Sequence, residues 1–130
     1  MRPDGRGDVT RSHVAWKLSR GAPLTPSPLL AGETLYLVTD NGIASAVDAQ
    51  TGAVRWQQRF GHGFSASPLL AGGRIYFLDE DGRTTVIKAG GTGEPVATNQ
   101  LEGSTLASMA VVSRSFLIRT GTHLYRIGRE

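Results

Sequence analysis

One six-residue string occurs twice at a spacing of forty residues, and this spacing limits the architectures that the chain can adopt. Residues 27–32 read Ser-Pro-Leu-Leu-Ala-Gly, and residues 67–72 repeat them without change. Tyr36 and Tyr76 follow at the same offset. A repeat of about forty residues indicates one supersecondary unit per period, and each unit buries its apolar face only by stacking on its neighbours.

A third and weaker copy begins at Thr105. Its Ser108 lies forty-one residues after Ser67, which one extra residue in the Gly-rich loop at 89–93 would explain. At the other end of the chain, Trp16 lies forty residues before Trp56, so the repeats begin with the last strand of a further copy.

Within each unit the apolar residues alternate with period two, which predicts β-strands. The runs at 34–40 and 74–80 are short and rich in β-formers. They are followed by Asn41-Gly42 and Asp81-Gly82, which tolerate the positive φ of a tight hairpin turn. Four strands joined by tight turns at this period describe one blade of a β-propeller. The predicted fold is therefore all-β, a partial β-propeller of about three four-stranded antiparallel blades.

The repeat also sets the predicted boundaries. They are a polar N-terminal stretch at 1–12 and repeats at 13–130, divided into an outer strand at 13–24, blades at 25–64 and 65–104, and a partial blade at 105–130. This makes twelve strands, or three blade equivalents, whereas propellers usually have four to eight blades. We therefore expect the C-terminal portion of a longer propeller, or a ring completed by other copies, in which the strand near Trp16 pairs with another chain's last blade.

The stretch from Ala46 to Trp56 predicts an outer strand whose register is fixed by the turn before it. Thr51-Gly52 supplies a tight turn, and the Asp48 carboxylate can accept hydrogen bonds from its N–H groups. We expect Trp56 to lie between blades, with the small side chain of Ala46 leaving room for the indole of an adjacent blade.

This stretch resembles the tryptophan-docking motif of the pyrroloquinoline-quinone (PQQ)-like propeller repeats. The structural docking residues assigned from the resemblance are Ala46, Asp48, Thr51, Gly52, Trp56 and Trp16. The second blade departs from the pattern, since Lys88 replaces the aspartate and Ala97 the tryptophan. Such repeats occur in quinoprotein dehydrogenases and in non-enzymatic propellers, and the resemblance implies a periplasmic or otherwise extracytoplasmic location.

Charge and composition exclude several classes of function. The net charge of +3 arises within residues 1–20, because residues 21–130 carry nine basic and nine acidic groups. This favours a solvated tail over a nucleic-acid-binding face. The absence of cysteine excludes disulfides and thiolate metal sites. No run is long enough to span a membrane, and residues 1–10 lack the apolar region of a signal peptide.

No residue pattern predicts catalysis. His13, His62 and His123 lack the spacing of metal ligands. The acidic run at 79–81 is typical of a charged hairpin turn rather than of a Ca²⁺ loop. We interpret Ser27 and Ser67 as strand starts near the centre of the ring. The Arg-Gly-Asp tripeptide at 6–8 is interpreted as part of a polar stretch.

The sequence therefore predicts no catalytic, cofactor-binding or metal-binding residues and no bound cofactor. It predicts a non-catalytic scaffold or protein-interaction module whose partner is a protein, the remaining blades of a propeller, or another copy of the chain. The alternative is a fragment of a PQQ-dependent dehydrogenase whose active-site residues lie in blades outside this sequence.

Overall fold

Three antiparallel sheets follow one another along the chain. The computed structural model describes residues 3–128, and within that range it contains eleven strands and no helix. The first sheet holds β1 (Leu29–Ala31), β2 (Thr34–Val38), β3 (Ile43–Asp48) and β4 (Val54–Arg59); the second holds β5 (Leu69–Ala71), β6 (Arg74–Leu78), β7 (Arg83–Lys88) and β8 (Pro95–Gln100); the third holds β9 (Ala110–Val112), β10 (Ser115–Arg119) and β11 (Leu124–Gly128). In each sheet the strands pair in chain order. The all-β prediction is confirmed.

The strand positions reproduce the sequence repeat. β5 to β7 begin forty residues after β1 to β3, and β8 begins forty-one residues after β4. The extra residue therefore lies in the loop at 89–93, between β7 and β8. In both complete sheets the outer strand carries a bulge, next to Val47 in the first sheet and next to Ile87 in the second.

The β10–β11 hairpin is one residue shorter than its counterparts. Val38 pairs with Ala44 across the first hairpin, whereas Arg119 pairs with Leu124 across the third. Leu124 therefore occupies the place of Ala44, and Arg126 occupies the place of Ala46. This shift fixes which side chains of β11 face away from the second sheet.

The predicted outer strand at 13–24 is wrong as secondary structure, because the structure assigns no strand there. A β-strand needs a neighbour for its backbone ladder, and this segment instead lies against the first sheet through the side chain of Trp16. The described third sheet has three strands, so the total is eleven strands rather than the predicted twelve.

The buried side chains lie mainly between sheets. The larger cluster fills the seam between the first and second sheets, and its big side chains are Tyr36, Phe60, Phe64, Ile75 and Phe77. The smaller cluster, between the second and third sheets, holds Ala66, Leu78, Met109 and Ile118. Each sheet thus buries its faces by stacking, as expected for a chain of repeats.

Candidate interaction surface

Trp56 bridges the first and second sheets. It extends from β4, and its ring centroid lies 6.2 Å from that of Tyr36 and 6.4 Å from that of Phe60. On the other side it covers Gly93 in the turn before β8, where a methyl group would come within 2.6 Å of the indole Cδ2. The indole therefore rests on a bare stretch of backbone that belongs to the next sheet.

Trp16 makes the corresponding contact with the first sheet. A methyl group on Gly52 would come within 2.7 Å of Cδ2 of Trp16. The indole Nε1–H of Trp16 donates to the carbonyl of Ala49 at 2.9 Å. Trp16 therefore occupies, on the first sheet, the position that Trp56 occupies on the second. The segment that carries Trp16 lies where the outer strand of a preceding sheet would lie.

Asp48 organises the turn beneath Trp16. Its Oδ1 accepts the N–H groups of Gln50 and Thr51, both at 2.9 Å, and its Oδ2 lies 2.7 Å from the guanidinium of Arg55. The hydrogen bond from Arg55 and those from the turn hold the pKa of Asp48 at about 2, below its ordinary value. The carboxylate is therefore a turn support that keeps its charge at neutral pH.

The six docking residues fall into two groups in the structure. Asp48, Thr51, Gly52 and Trp16 meet at the turn after β3. Ala46 instead lies directly across from Trp56 in the same sheet, in a non-bulged pair. The small side chain of Ala46 therefore lies opposite the indole of its own sheet, whereas the sequence predicts that it leaves room for the indole of an adjacent blade.

A ladder of serines links successive sheets at their inner ends. The N–H of Ser27 donates to Oγ of Ser67, and the N–H of Ser67 donates to Oγ of Ser108, both at 2.9 Å. The repeated Ser-Pro string and the offset of Ser108 are the sequence signal for this ladder, but the interpretation of Ser27 and Ser67 as strand starts does not include it. Each serine thus marks the direction in which one sheet follows the next.

Tyr36 adds another bond across the first seam. Its side chain is 1% exposed, and its hydroxyl accepts the N–H of Gly90 at 2.7 Å. Gly90 lies in the loop before β8, close in sequence to Gly93. The loop at 89–93 is therefore fixed to the first sheet by one hydrogen bond and one stacked indole.

The second seam lacks its tryptophan and is less well filled. In the second sheet Ala97 pairs with Val86, whereas at the equivalent place in the first sheet Trp56 pairs with Ala46. A cavity of about 430 Å³ remains between the second and third sheets, lined in part by Tyr76, Asn99 and Phe116. At this point of the second sheet Ala97 leaves unfilled the space that the indole of Trp56 fills in the first.

The far side of the third sheet is apolar and uncovered. Its exposed large hydrophobic residues are Leu106, Val112 and Leu124. A cavity of about 470 Å³ opens beside them, lined by residues 104–107 and 119–121. β11 is an edge strand, because within residues 3–128 it pairs with β10 alone. This open side, defined by the exposed residues, the cavity and the β11 edge, is the candidate interaction surface.

The three histidines do not form a common site. His13 approaches Asp4 at 3.4 Å, His123 pairs with the hydroxyl of Thr122, and His62 is exposed in a loop. Among residues 3–128 no three His, Cys, Asp or Glu side chains converge in a way that would hold a metal ion. Within the same range, no helix has the length and apolarity needed to cross a membrane.

The acidic run before β7 serves the hairpin. Asp79 is buried, and its Oδ1 accepts the N–H groups of Asp81 at 3.0 Å and Arg83 at 2.9 Å. Glu80 accepts the hydroxyl of Ser65. These carboxylates are therefore engaged by turn and loop groups of the same sheet.

Comparisons with known proteins identify the repeats. Residues 6–125 match the sequence profile of the family described as outer membrane protein assembly factor BamB. None of the curated proteins matches the chain.

Solved structures show the same arrangement of sheets. BamB from Moraxella catarrhalis superposes with a TM-score of 0.61 at 14% identity, over 72% of this chain and 28% of that one. A europium-containing methanol dehydrogenase gives 0.66 at 21% identity, over 80% and 22%. The quinohemoprotein alcohol dehydrogenase of Comamonas testosteroni gives 0.62 at 17% identity, over 75% and 17%. The predicted partial propeller is confirmed, and the chain spans between about a sixth and just over a quarter of these structures.

Proposed function

Because the chain belongs to the family described as outer membrane protein assembly factor BamB, the predicted PQQ-like repeat family, we propose that it is a non-catalytic interaction module. It serves as a scaffold, as one portion of a propeller with more blades than the three sheets described. Its partner is a protein surface that covers the open side of the third sheet.

The observation that carries this proposal is the contrast between the two sides of a sheet. In the seams the apolar side chains are covered by the next sheet, whereas Leu124 on the open side is 73% exposed. Uncovered apolar surface next to an unpaired strand is typical of a protein-binding face. The motif residues, in contrast, are used in turns and seams, where they hold the sheets together.

A titration with quinone and metal tests the non-catalytic role. We expect no stoichiometric uptake of PQQ when the chain is titrated in the presence of Ca²⁺, followed by calorimetry and by quinone absorbance. A second arm uses Eu³⁺, because one structurally similar dehydrogenase contains europium. Saturable one-to-one uptake of PQQ in either arm contradicts the proposal.

The second candidate is a portion of a PQQ-dependent dehydrogenase whose active-site residues lie outside this sequence. It is favoured by the structural likeness to two dehydrogenases, at TM-scores of 0.66 and 0.62. An in-frame coding sequence upstream of Met1 that carries further blades, with a Cys-Cys pair and a PQQ-binding cluster of acidic residues, would support it over the scaffold.

The family also leads us to propose a periplasmic or otherwise extracytoplasmic location. The open side of the third sheet would then meet its partner outside the cytoplasm. Fractionation of cells that express the protein at its natural level tests this, and recovery in the cytoplasmic fraction alone contradicts it.

A further inference from the structure

The cavity between the second and third sheets has the size of a small-molecule site. Its volume is about 430 Å³, and ligand pockets typically measure roughly 300–1,000 Å³. We propose that this cavity binds an uncharged bicyclic aromatic molecule of the indole class. The inference goes beyond the scaffold role and does not depend on it, because the cavity is built from two sheets of this chain.

The first argument is the place of the cavity in the repeat. In the first seam, the indole of Trp56 lies beside Tyr36 and Phe60. The counterparts of these two neighbours in the next repeat are Tyr76 and Leu101, and both line the cavity. The cavity therefore lies at the place in the second seam that corresponds to the Trp56 indole in the first.

Replacement of aromatic side chains by aliphatic ones accounts for the space. Three aromatic residues of the first seam, Trp56, Phe60 and Phe77, correspond in the second to Ala97, Leu101 and Ile118. One ring is gained, because Phe116 stands where the second sheet has Ile75. The net loss is one indole and one phenyl ring, which the aliphatic side chains replace only in part. A bicyclic ring system is therefore the shape that the first seam places here and the second seam lacks.

The second argument is the chemistry of the walls. Tyr76 and Phe116 form an aromatic wall, with ring centroids 4.6 Å apart, and Met109 and Ile118 add apolar surface. Among residues 3–128, none of those that line the cavity carries a charge. Aromatic rings prefer to pack on other aromatic rings. A charged ligand would lose its hydration without gaining an opposite charge. The walls therefore favour a neutral aromatic ligand.

The third argument is the hydroxyl of Thr84, which replaces Ala44 of the first sheet. Thr84 is only 6% exposed and lines the cavity, and its hydroxyl makes no hydrogen bond within residues 3–128. In that range no fully enclosed nitrogen or oxygen lacks a partner, so this hydroxyl is accessible from the cavity. It can accept a hydrogen bond from a ligand N–H. This selects indole over a plain hydrocarbon of the same shape.

The polar rim marks the entrance. Asn99 pairs with Thr84 across the ladder, Gln100 follows it on β8, and both side chains are exposed and line the cavity. The amide of Gln100 is held in place, because its Nε2 donates to the carbonyls of Asp81 at 2.8 Å and Leu101 at 3.0 Å. A ligand would therefore enter beside β8, with its rings inside the seam and its edge at the amides.

Titration of the 130-residue chain with indole, followed by calorimetry, tests the site. We expect saturable one-to-one binding with a dissociation constant below about 1 mM. Absence of saturation up to the solubility limit of indole overturns the proposal. Such a failure leaves the scaffold role untouched, since that role is tested by the uptake of PQQ and not of indole.

Filling the cavity tests its location. Ala97→Trp should reproduce the arrangement of the first seam and weaken indole binding by roughly tenfold or more, because the new side chain occupies the same space. Val96→Trp is the matched control. It adds the same side chain at the neighbouring exposed residue, which faces the other way from β8, and should leave binding unchanged.

Leu101→Phe is a second filling variant, which restores the ring that Phe60 supplies in the first seam, and it should also weaken binding. Circular dichroism and the urea midpoint show that each variant is folded, since Ala97 and Val96 are both exposed. Indole binding that survives both Ala97→Trp and Leu101→Phe overturns the assignment to this cavity.

A pair of ligands tests the hydroxyl. Thr84→Val should weaken the binding of indole by about two- to tenfold, the usual value of one hydrogen bond. It should leave the binding of N-methylindole unchanged, because that molecule has no N–H to donate. Equal losses for the two ligands, or no loss for indole, would show that Thr84 does not accept the ligand N–H and would overturn the selection of the indole class.

Discussion

The indole of Trp56 lies against the backbone of Gly93, close enough that a methyl group there would meet the ring at 2.6 Å. Trp56 belongs to the first sheet and Gly93 to the second, so the contact joins two units that are adjacent in the sequence repeat. Trp16 and Gly52 repeat this relationship one sheet earlier. The docking contact is therefore always made between one sheet and the turn of the next.

Gly93→Ala should destabilise the chain more than Gly90→Ala. Both glycines have positive φ, +84° and +77°, so both substitutions carry a backbone cost of about 1–2 kcal/mol. Only Gly93 has a ring against it, because the space around Gly90 is open. We expect Gly93→Ala to lower the free energy of unfolding by about 1–3 kcal/mol more. Urea unfolding of both variants measures the difference, and equal losses would show that the indole does not bear on Gly93.

Tyr36→Phe should lower stability, whereas Tyr76→Phe should not. The Tyr36 hydroxyl accepts the Gly90 N–H across the first seam, and its removal leaves that donor without an acceptor. The expected loss is about 0.5–1.5 kcal/mol. Tyr76 holds the same place in the second sheet, and its hydroxyl makes no hydrogen bond within residues 3–128. Thermal melts of the two variants test this, and a loss of similar size in both would argue against the seam bond.

Ser67→Ala should destabilise the isolated chain more than Ser27→Ala. Oγ of Ser67 accepts the N–H of Ser27, so its removal breaks one link between the first two sheets, at a cost of about 0.5–1.5 kcal/mol. Within residues 3–128, Oγ of Ser27 accepts no such bond. Denaturant titration of both variants compares them, and a larger loss for Ser27→Ala would contradict the ladder.

Asp48 should make stability depend on pH in the acid range. Its pKa in the folded chain is about 2, below the ordinary value of 3.8, so the folded state binds a proton less readily than the unfolded state. The stabilisation by Asp48 is therefore complete above pH 4 and is lost as the pH falls towards 2. We expect the difference in urea midpoint between the natural chain and Asp48→Asn to shrink across this window.

Arg55→Gln is the companion variant, because the hydrogen bond from Arg55 is the largest cause of the lowered pKa. It should reduce the same acid dependence without removing the carboxylate. A midpoint difference for Asp48→Asn that stays constant from pH 5 to pH 2 would show that the turn bonds do not lower the pKa of Asp48.

Local features of the fold could be predicted because their causes are local. Alternating apolar residues set the strands, and Asn41-Gly42 and Asp81-Gly82 set the hairpins between them. The extra residue in the loop at 89–93 was visible as a change of offset. The outer strand near Trp16 could not be judged in this way, since a strand forms only when a neighbour completes its ladder.

The candidate interaction surface was less accessible to prediction. The repeat showed that sheets must stack, but it did not show that the Ser-Pro string forms a ladder between them. Ala46 lies across from Trp56 of its own sheet, and the sequence could not show this, because period-two patterning does not reveal which of two neighbouring rings lies opposite a residue. The shortened third hairpin also shifts the register of β11, and one residue of shift exchanges the two faces of a strand.

The sequence by itself determined the repeating unit, its strands and turns, and the chemistry of the docking contact, because each depends on residues close together along the chain. The tertiary structure alone decided which face of each sheet is covered, where the second seam is left partly empty, and that β11 lies uncovered. These properties depend on what stacks against what, and a side chain's burial is set by the neighbour that covers it.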